Sequence, residues 1–157
     1  MTHKQSIWQT PFTLEEINAR AKGTLSEHLG IEFTEIGTHH LSATMYVDHR
    51  TIQPMGALHG GASCALAETV GSAAANFCVD SSFYVCVGLD ININHIRSVR
   101  SGKVVAIATP LHLGKSTQVW EIKIYEEENK LISAGRLTMA VIPLKEKKTP
   151  SLSTQGF

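Results

Sequence analysis

Hydrophobic positions recur along this chain in three different rhythms. Ile17, Ala21, Leu25 and Leu29 return every fourth residue. They follow Thr13-Leu14-Glu15-Glu16, a capping-box pattern with Thr13 as N-cap, so 14–29 reads as one amphipathic helix. Gly23 weakens it and Gly30 is placed to end it. The second rhythm is alternation. Residues 31–36 read as a short strand, and Leu41, Ala43, Met45 and Val47 alternate with polar neighbours as in a half-buried strand. Val85, Val87, Leu89, Ile91 and Ile93 do the same, predicting a strand whose odd-numbered residues face the interior. Strands are also expected over Lys103–Leu113, where Pro110 suggests a bulge or an edge position. Two more follow: 116–126, with Trp120, Ile122 and Ile124 on one face, and 130–142, with Leu131, Leu137, Met139 and Val141 on one face. The third rhythm has no polar face. Gly60–Phe77 consists mostly of Ala, Ser, Gly and Leu, with no Lys, Arg or Pro and a single carboxylate, Glu68. A helix so apolar all round is expected to be buried.

The order is thus helix, two strands, apolar helix, four strands. Short turns at 100–102, 114–115 and 127–129 predict an antiparallel sheet whose last three strands form a meander. The economical arrangement is α+β, with the apolar helix wrapped by one curved sheet. Residues 1–144 are expected to form one domain, and 145–157, with few apolar residues and no periodicity, a disordered tail.

Composition narrows the function classes. Lysine and arginine balance aspartate and glutamate at 14 each, which argues against nucleic-acid or membrane-surface binding through bulk charge. No apolar run is long enough to cross a bilayer, and the first residues lack the apolar core of a signal peptide. Cys64, Cys78 and Cys86 form no metal-type pair, and a sparse, odd count suits reduced thiols in the cytoplasm. His39 and His40, adjacent on a strand, point to opposite faces and do not make a shared metal site. No metal and no cofactor is expected.

The chemistry concentrates around the apolar helix. Glu68 has no cation at the spacings where helix side chains meet, and an unpaired buried carboxylate is costly. It is either satisfied by a hydroxyl such as Ser72 or kept as a nucleophile or general base. Gly60 and Gly61 open the helix. They are either a tight turn or a source of free N–H groups aimed at developing negative charge, with Gly60 as oxyanion donor. The turn His112, Leu113, Gly114, Lys115, Ser116, Thr117 offers N–H groups, hydroxyls and an ammonium suited to phosphate or pantetheine, although any tight glycine turn looks similar.

The stretch QPMGALHGGASCALAETVGS, with GLDININHIRS and PLHLGKSTQVWEI after it, resembles the hotdog-fold acyl-CoA thioesterases. It is most similar to the branch acting on aromatic acyl-CoA, which includes 4-hydroxybenzoyl-CoA and 1,4-dihydroxy-2-naphthoyl-CoA thioesterases and the proofreading thioesterase of the enterobactin carrier protein. The likeness spans 31–142. It implies that Glu68 is the catalytic carboxylate and Gly60 the oxyanion donor, that His59 and Gln53 orient substrate or water, and that Ser72 helps position water. It further implies substrate contacts from Gly88, from His95, Ile96, Arg97 and Ser98, and from the 112–117 turn. A role in menaquinone synthesis, an acyl carrier protein as alternative partner and a homotetramer come from the resemblance alone. Arg136 is left without a role.

Geometry adds a requirement. Gly60 and Glu68 are separated by about 12 Å along one helix, yet both must reach one thioester carbon. Two antiparallel helices from two subunits satisfy this, so a dimer with composite sites is expected. Competing classes fit less well. GxSxG is absent, which excludes an α/β-hydrolase thioesterase at the motif level. A hotdog dehydratase places its histidine in a different context. A non-catalytic acyl-CoA sensor would not need Gln53, His59, Gly60, Glu68 and Ser72 together.

Overall fold

The structure, a computed structural model, describes residues 6–144. The expected tail, 145–157, lies outside the described residues. Thr13 caps α1 (Leu14–Ala19) as a full capping box, accepting from Glu16 N at 3.1 Å while the Glu16 carboxylate accepts from Thr13 N at 2.9 Å. The single helix expected over 14–29 is in fact two. Gly23 takes φ +74, a left-handed conformation that breaks the helical ladder, and Thr24 caps a second short helix, α2 (Leu25–Leu29). Gly30, at φ 67, ends it as expected.

Six strands follow in one antiparallel sheet: β1 (Glu32–Ile36), β2 (Leu41–Tyr46), β3 (Tyr84–His95), β4 (Lys103–Leu113), β5 (Thr117–Glu126) and β6 (Leu131–Pro143), in the order β1-β2-β4-β5-β6-β3. The β4–β5–β6 meander is present. Trp120, Ile122 and Ile124 from β5 and Leu137 and Met139 from β6 are fully buried, as the alternation predicts, but Leu131 is only half-buried and Ile132 is buried in its place, because the β5–β6 ladder is irregular there. Pro110 does mark a bulge, between Pro110 and His112. β2 is buried on both faces rather than half-buried: Ser42 and Thr44 are also enclosed, small side chains on an interior strand between β1 and β4.

The helix α3 (Gly60–Phe77) has the expected bounds and lies against this sheet, giving the α+β hotdog arrangement. Leu66, Ala67, Val70 and Ala74 are fully buried. A methyl group at Gly71 would come within 2.6 Å of Leu137 Cδ2, so the glycine allows the helix to settle onto β6. Enclosure is incomplete, however. Cys64, Ala65, Thr69, Ser72, Ala73 and Asn76 are only half-buried and Glu68 is exposed, because the sheet wraps one side of the helix and leaves the other open.

β3 also departs from its expected phase. Gly88 pairs with Met139 and Asp90 with Thr138, so Leu89 is an extra residue, a bulge. Before it the even-numbered Cys86 faces the core; after it the odd-numbered Ile91 and Ile93 do. Val87 and Leu89, expected inside, are 40 % and 63 % exposed on a strand with only one neighbour. No helix among the described residues is long and apolar enough to cross a membrane.

Candidate active site

The N-terminal end of α3 is organised by His59. Its Nδ1 accepts from Gly61 N at 2.8 Å, and its carbonyl accepts from Ala62 N at 3.0 Å and Ser63 N at 3.1 Å. Of the four N–H groups that a helix start leaves without intrahelical partners, those of Gly61 and Ala62 are thereby satisfied by one residue, and that of His59 itself donates to Thr51 O at 2.8 Å. The N–H of Gly60 is the fourth, and it has no partner among the described residues. Since Nδ1 accepts, the His59 ring proton sits on Nε2 when the ring is neutral.

The preceding loop is fastened from both sides. Gln53 N donates to Ala57 O at 2.8 Å, Leu58 N to Val99 O at 2.8 Å, and Arg100 Nη1 to Met55 O at 2.6 Å. The Gln53 side-chain oxygen accepts from Met55 N, which leaves its amide N–H groups for another partner. A groove at this end of α3 joins Gln53 and Gly60 to His95, Ile96, Arg97 and Ser98, four residues expected to contact substrate. His95 approaches most closely: its Nε2 lies 2.8 Å from the point a Gly60 Cβ would occupy. A side chain at position 60 would displace that ring, so the glycine provides both an open N–H and room for histidine.

Glu68 stands elsewhere, two turns along α3. It is exposed rather than buried within the chain, contrary to expectation, because it projects from the helix face the sheet leaves open. Ser72 does not satisfy it. The Ser72 hydroxyl turns to Met139 Sδ at 3.7 Å, and no group among the described residues hydrogen-bonds the Glu68 carboxylate. Its nearest constraint is Gly88, where a Cβ would fall 2.8 Å from Glu68 Oε1. Gly88 thus makes the space beside the carboxylate, immediately before the Leu89 bulge. One turn back, burial pushes the Cys64 thiol pKa up, and the negative charge of Glu68 adds to the effect.

The 112–117 turn is remote from Gly60. Leu113, Gly114 and Lys115 border a cavity with Cys78, Val79 and Asp80, beyond the C-terminal end of α3, whereas Gly60 opens that helix about 27 Å away. Gly114 N donates to Thr117 O at 3.0 Å, and His112, Lys115 and Ser116 are exposed. Arg136 is exposed, lies between Asn92 and Glu121 in the ladder and forms no ion pair among the described residues. Within one chain the expected residues therefore fall into three groups. Gln53, His59, Gly60 and 95–98 come together, Glu68 sits with Gly88 and Ser72, and 112–117 stands alone.

Sequence reasoning passed over Ser133. It lies in β6 directly opposite His95, is 2 % exposed, and has its Oγ 3.2 Å from His95 Nδ1. Only the strand register reveals this pairing; the residue itself is an ordinary serine in a strand.

Residues 55–133 match the family model described as the Thioesterase superfamily. The 1,4-dihydroxy-2-naphthoyl-CoA hydrolase of Escherichia coli is 48 % identical over 87 % of this chain and 99 % of its own length. The proofreading thioesterase EntH of Cronobacter turicensis is 50 % identical over 87 % of this chain and 98 % of its own. Among solved structures, a thioesterase of Haemophilus influenzae superposes with a TM-score of 0.87 at 52 % identity, covering 91 % of this chain and 99 % of that one. The match runs from the loop before Gly60 through Ser133, and so includes the helix end, Glu68 and the His95 groove: the chain belongs to the thioesterase superfamily and is a thioester hydrolase of the hotdog fold.

Proposed function

We propose that the protein hydrolyses acyl-CoA, aromatic acyl groups preferred, at two equivalent sites shared between the subunits of a homodimer. The observation that carries this reading is the Gly60 N–H, without a partner among the described residues, with Glu68 eight residues further along the same helix. The thioester oxygen accepts from Gly60 N–H in one subunit. The carbonyl carbon so polarised meets the partner subunit's Glu68. That carboxylate either attacks the carbon, giving an anhydride that water then opens, or takes a proton from the attacking water. In both routes the C–S bond breaks, the CoA sulfur leaves as a thiol after taking up a proton, and the acid is released. No metal or cofactor has a part in these steps.

The dimer reading has further support. β3 presents one edge that is unpaired among the described residues, and the exposed Val87 and Leu89, which suits continuation of the sheet by a second copy. An antiparallel copy would bring a 112–117 turn toward the other subunit's 95–98 groove, so that Lys115 and Arg97 could hold one CoA between them. Packing of two dimers into a tetramer, and menaquinone synthesis as the setting, rest on the resemblance and on the name of the E. coli relative. The Cronobacter relative supports an aroyl-loaded carrier protein as a second substrate.

Complementation tests the shared site. Glu68→Gln and Gly60→Ala are purified, confirmed inactive, mixed, dissociated and reassociated. Shared sites restore about a quarter of wild-type activity, since half of the dimers are mixed and each has one intact site. Sites confined to one chain restore none. A panel of benzoyl-, naphthoyl- and fatty acyl-CoA with an aroyl-loaded carrier protein reads the substrate class. Best turnover of fatty acyl-CoA would overturn the aromatic preference.

A further inference from the structure

We infer that Ser133 is a positioning residue that holds neutral His95 with its proton on Nε2, making that N–H a second donor beside Gly60 N–H for the thioester carbonyl. The inference rests on the thioester-hydrolase reading and assigns His95 a task beyond contact with CoA.

The hydrogen-bond inventory of Ser133 carries it. The residue is 2 % exposed, and the His95 ring is the one hydrogen-bonding partner of its hydroxyl among the described residues. A hydroxyl has one proton to give, and His95 Nδ1 either accepts it or donates its own. If Nδ1 donated, the buried Ser133 proton would have no acceptor, at the cost of an unsatisfied polar group. If Ser133 donates, its proton is used, Nδ1 carries none, and the ring proton must reside on Nε2. The cross-strand register fixes which nitrogen faces which way: His95 and Ser133 are direct partners of the β3–β6 ladder, so Nδ1 is held toward β6 and Nε2 is left beside Gly60.

The placement suits the chemistry. His59 consumes the N–H groups of Gly61, Ala62 and Ser63, which leaves Gly60 alone at the helix end. A single backbone donor gives limited stabilisation to an oxyanion, and known sites of this kind gather two or more. His95 Nε2–H stands on the side of Gly60 from which glycine has removed any Cβ. An imidazole with the opposite tautomer would present a lone pair there and repel the developing charge.

The direct test is spectroscopic and needs no substrate. Histidine-15N-labelled protein is examined at a pH of about 8.5, where an ordinary imidazole is neutral, and the His95 signals are assigned from their absence in His95→Gln. The expected result is a protonated Nε2 and an unprotonated Nδ1 in the wild type, with the Nδ1–H form appearing in Ser133→Ala. A wild-type His95 found mainly as Nδ1–H overturns the inference even where the variant fails to fold. Kinetics supply the second reading. Ser133→Ala lowers kcat about tenfold with little change in KM, a fraction of what losing a whole oxyanion donor costs, and Ser133→Thr restores it. In a His95→Gln background, where the amide supplies a fixed donor, Ser133→Ala has no further effect on kcat. An equal loss in both backgrounds overturns the inference in favour of a structural role. Inactivity of the wild type on every thioester would instead remove the functional reading and leave the tautomer standing.

Discussion

The two ends of α3 receive opposite treatment. At the C-terminal end the N-terminal strap of the chain closes over the helix. Gln9 N and Thr10 N both donate to the Phe77 carbonyl, at 2.9 and 3.3 Å, and Thr10 Oγ1 donates to Val79 O at 3.2 Å. The Phe12 ring stacks on Phe77 with centroids 3.6 Å apart, Trp8 meets Phe12 edge-on, and the Arg20 guanidinium lies 5.4 Å from the Phe77 ring centre. At the N-terminal end His59 accepts from Gly61, Ala62 and Ser63 N–H and leaves that of Gly60 open to a groove. A helix terminus is a set of unmet hydrogen bonds at one end of a dipole. This chain silences the end where a ligand would meet carbonyls and keeps one N–H available where a ligand would carry negative charge. On the function proposed above, stability and chemistry fall to different parts of the same helix, and substitutions should separate them.

The largest separation is expected in the middle of the helix. Glu68→Gln keeps the shape and removes the charge, and it should lower kcat by about two orders of magnitude or more while acyl-CoA affinity holds. Its melting temperature should match that of the wild type, since Glu68 is exposed within the chain and has no hydrogen-bond partner among the described residues to lose. Near-wild-type kcat in a folded dimer would remove Glu68 from the chemistry and turn attention to His59. At the sealed end, Phe12→Ala should destabilise by about 2 kcal/mol through lost burial and stacking. Its kcat at a temperature where the variant is folded should be unchanged, and a kcat that fell with stability would mean the two ends are coupled. At the open end the effect on stability is smaller. His59→Ala should cost about 1 kcal/mol as a lost N-cap, and His59→Asn should regain most of it. Denaturant melts of the pair check this. Activity that returns with Asn would show that His59 acts only by capping; activity that stays low would give its ring a direct role.

Where sequence was informative, a single physical cause dominated. The bounds of α3 were legible because an unbroken run of small and apolar residues has one economical conformation, and the β4–β6 meander because tight turns separate three strand-like runs. Pro110 announced its bulge because proline cannot donate to a ladder. Where two causes competed, the reading failed. The spacing of Ile17, Ala21, Leu25 and Leu29 continues through Gly23, but the left-handed backbone at that glycine outweighed it. The Leu89 bulge carries no sequence mark, so the alternation of β3 was followed in the wrong phase through Val87. Apolar composition implied that Glu68 was buried, yet composition does not reveal which helix face the sheet leaves open. The Ser133–His95 contact depends on register between strands distant in the chain, which periodicity within either strand cannot supply.

The strand order has a kinetic consequence. β3 follows α3 directly in the chain, yet its one neighbour is β6, so Tyr84 must wait for Pro143 and Gly88 for Met139. The β4–β5–β6 meander closes through short loops and can form early, whereas β3 must loop back across the whole of it, and pairing so distant in sequence is slow. The last ladder to zip is then the one that brings Gly88 beside Glu68 and seats His95 on Ser133. A chain interrupted before β6 lacks the template for both. Refolding followed by core fluorescence should therefore run ahead of recovered activity, with the groups proposed for catalysis among the last parts of the molecule to find their places.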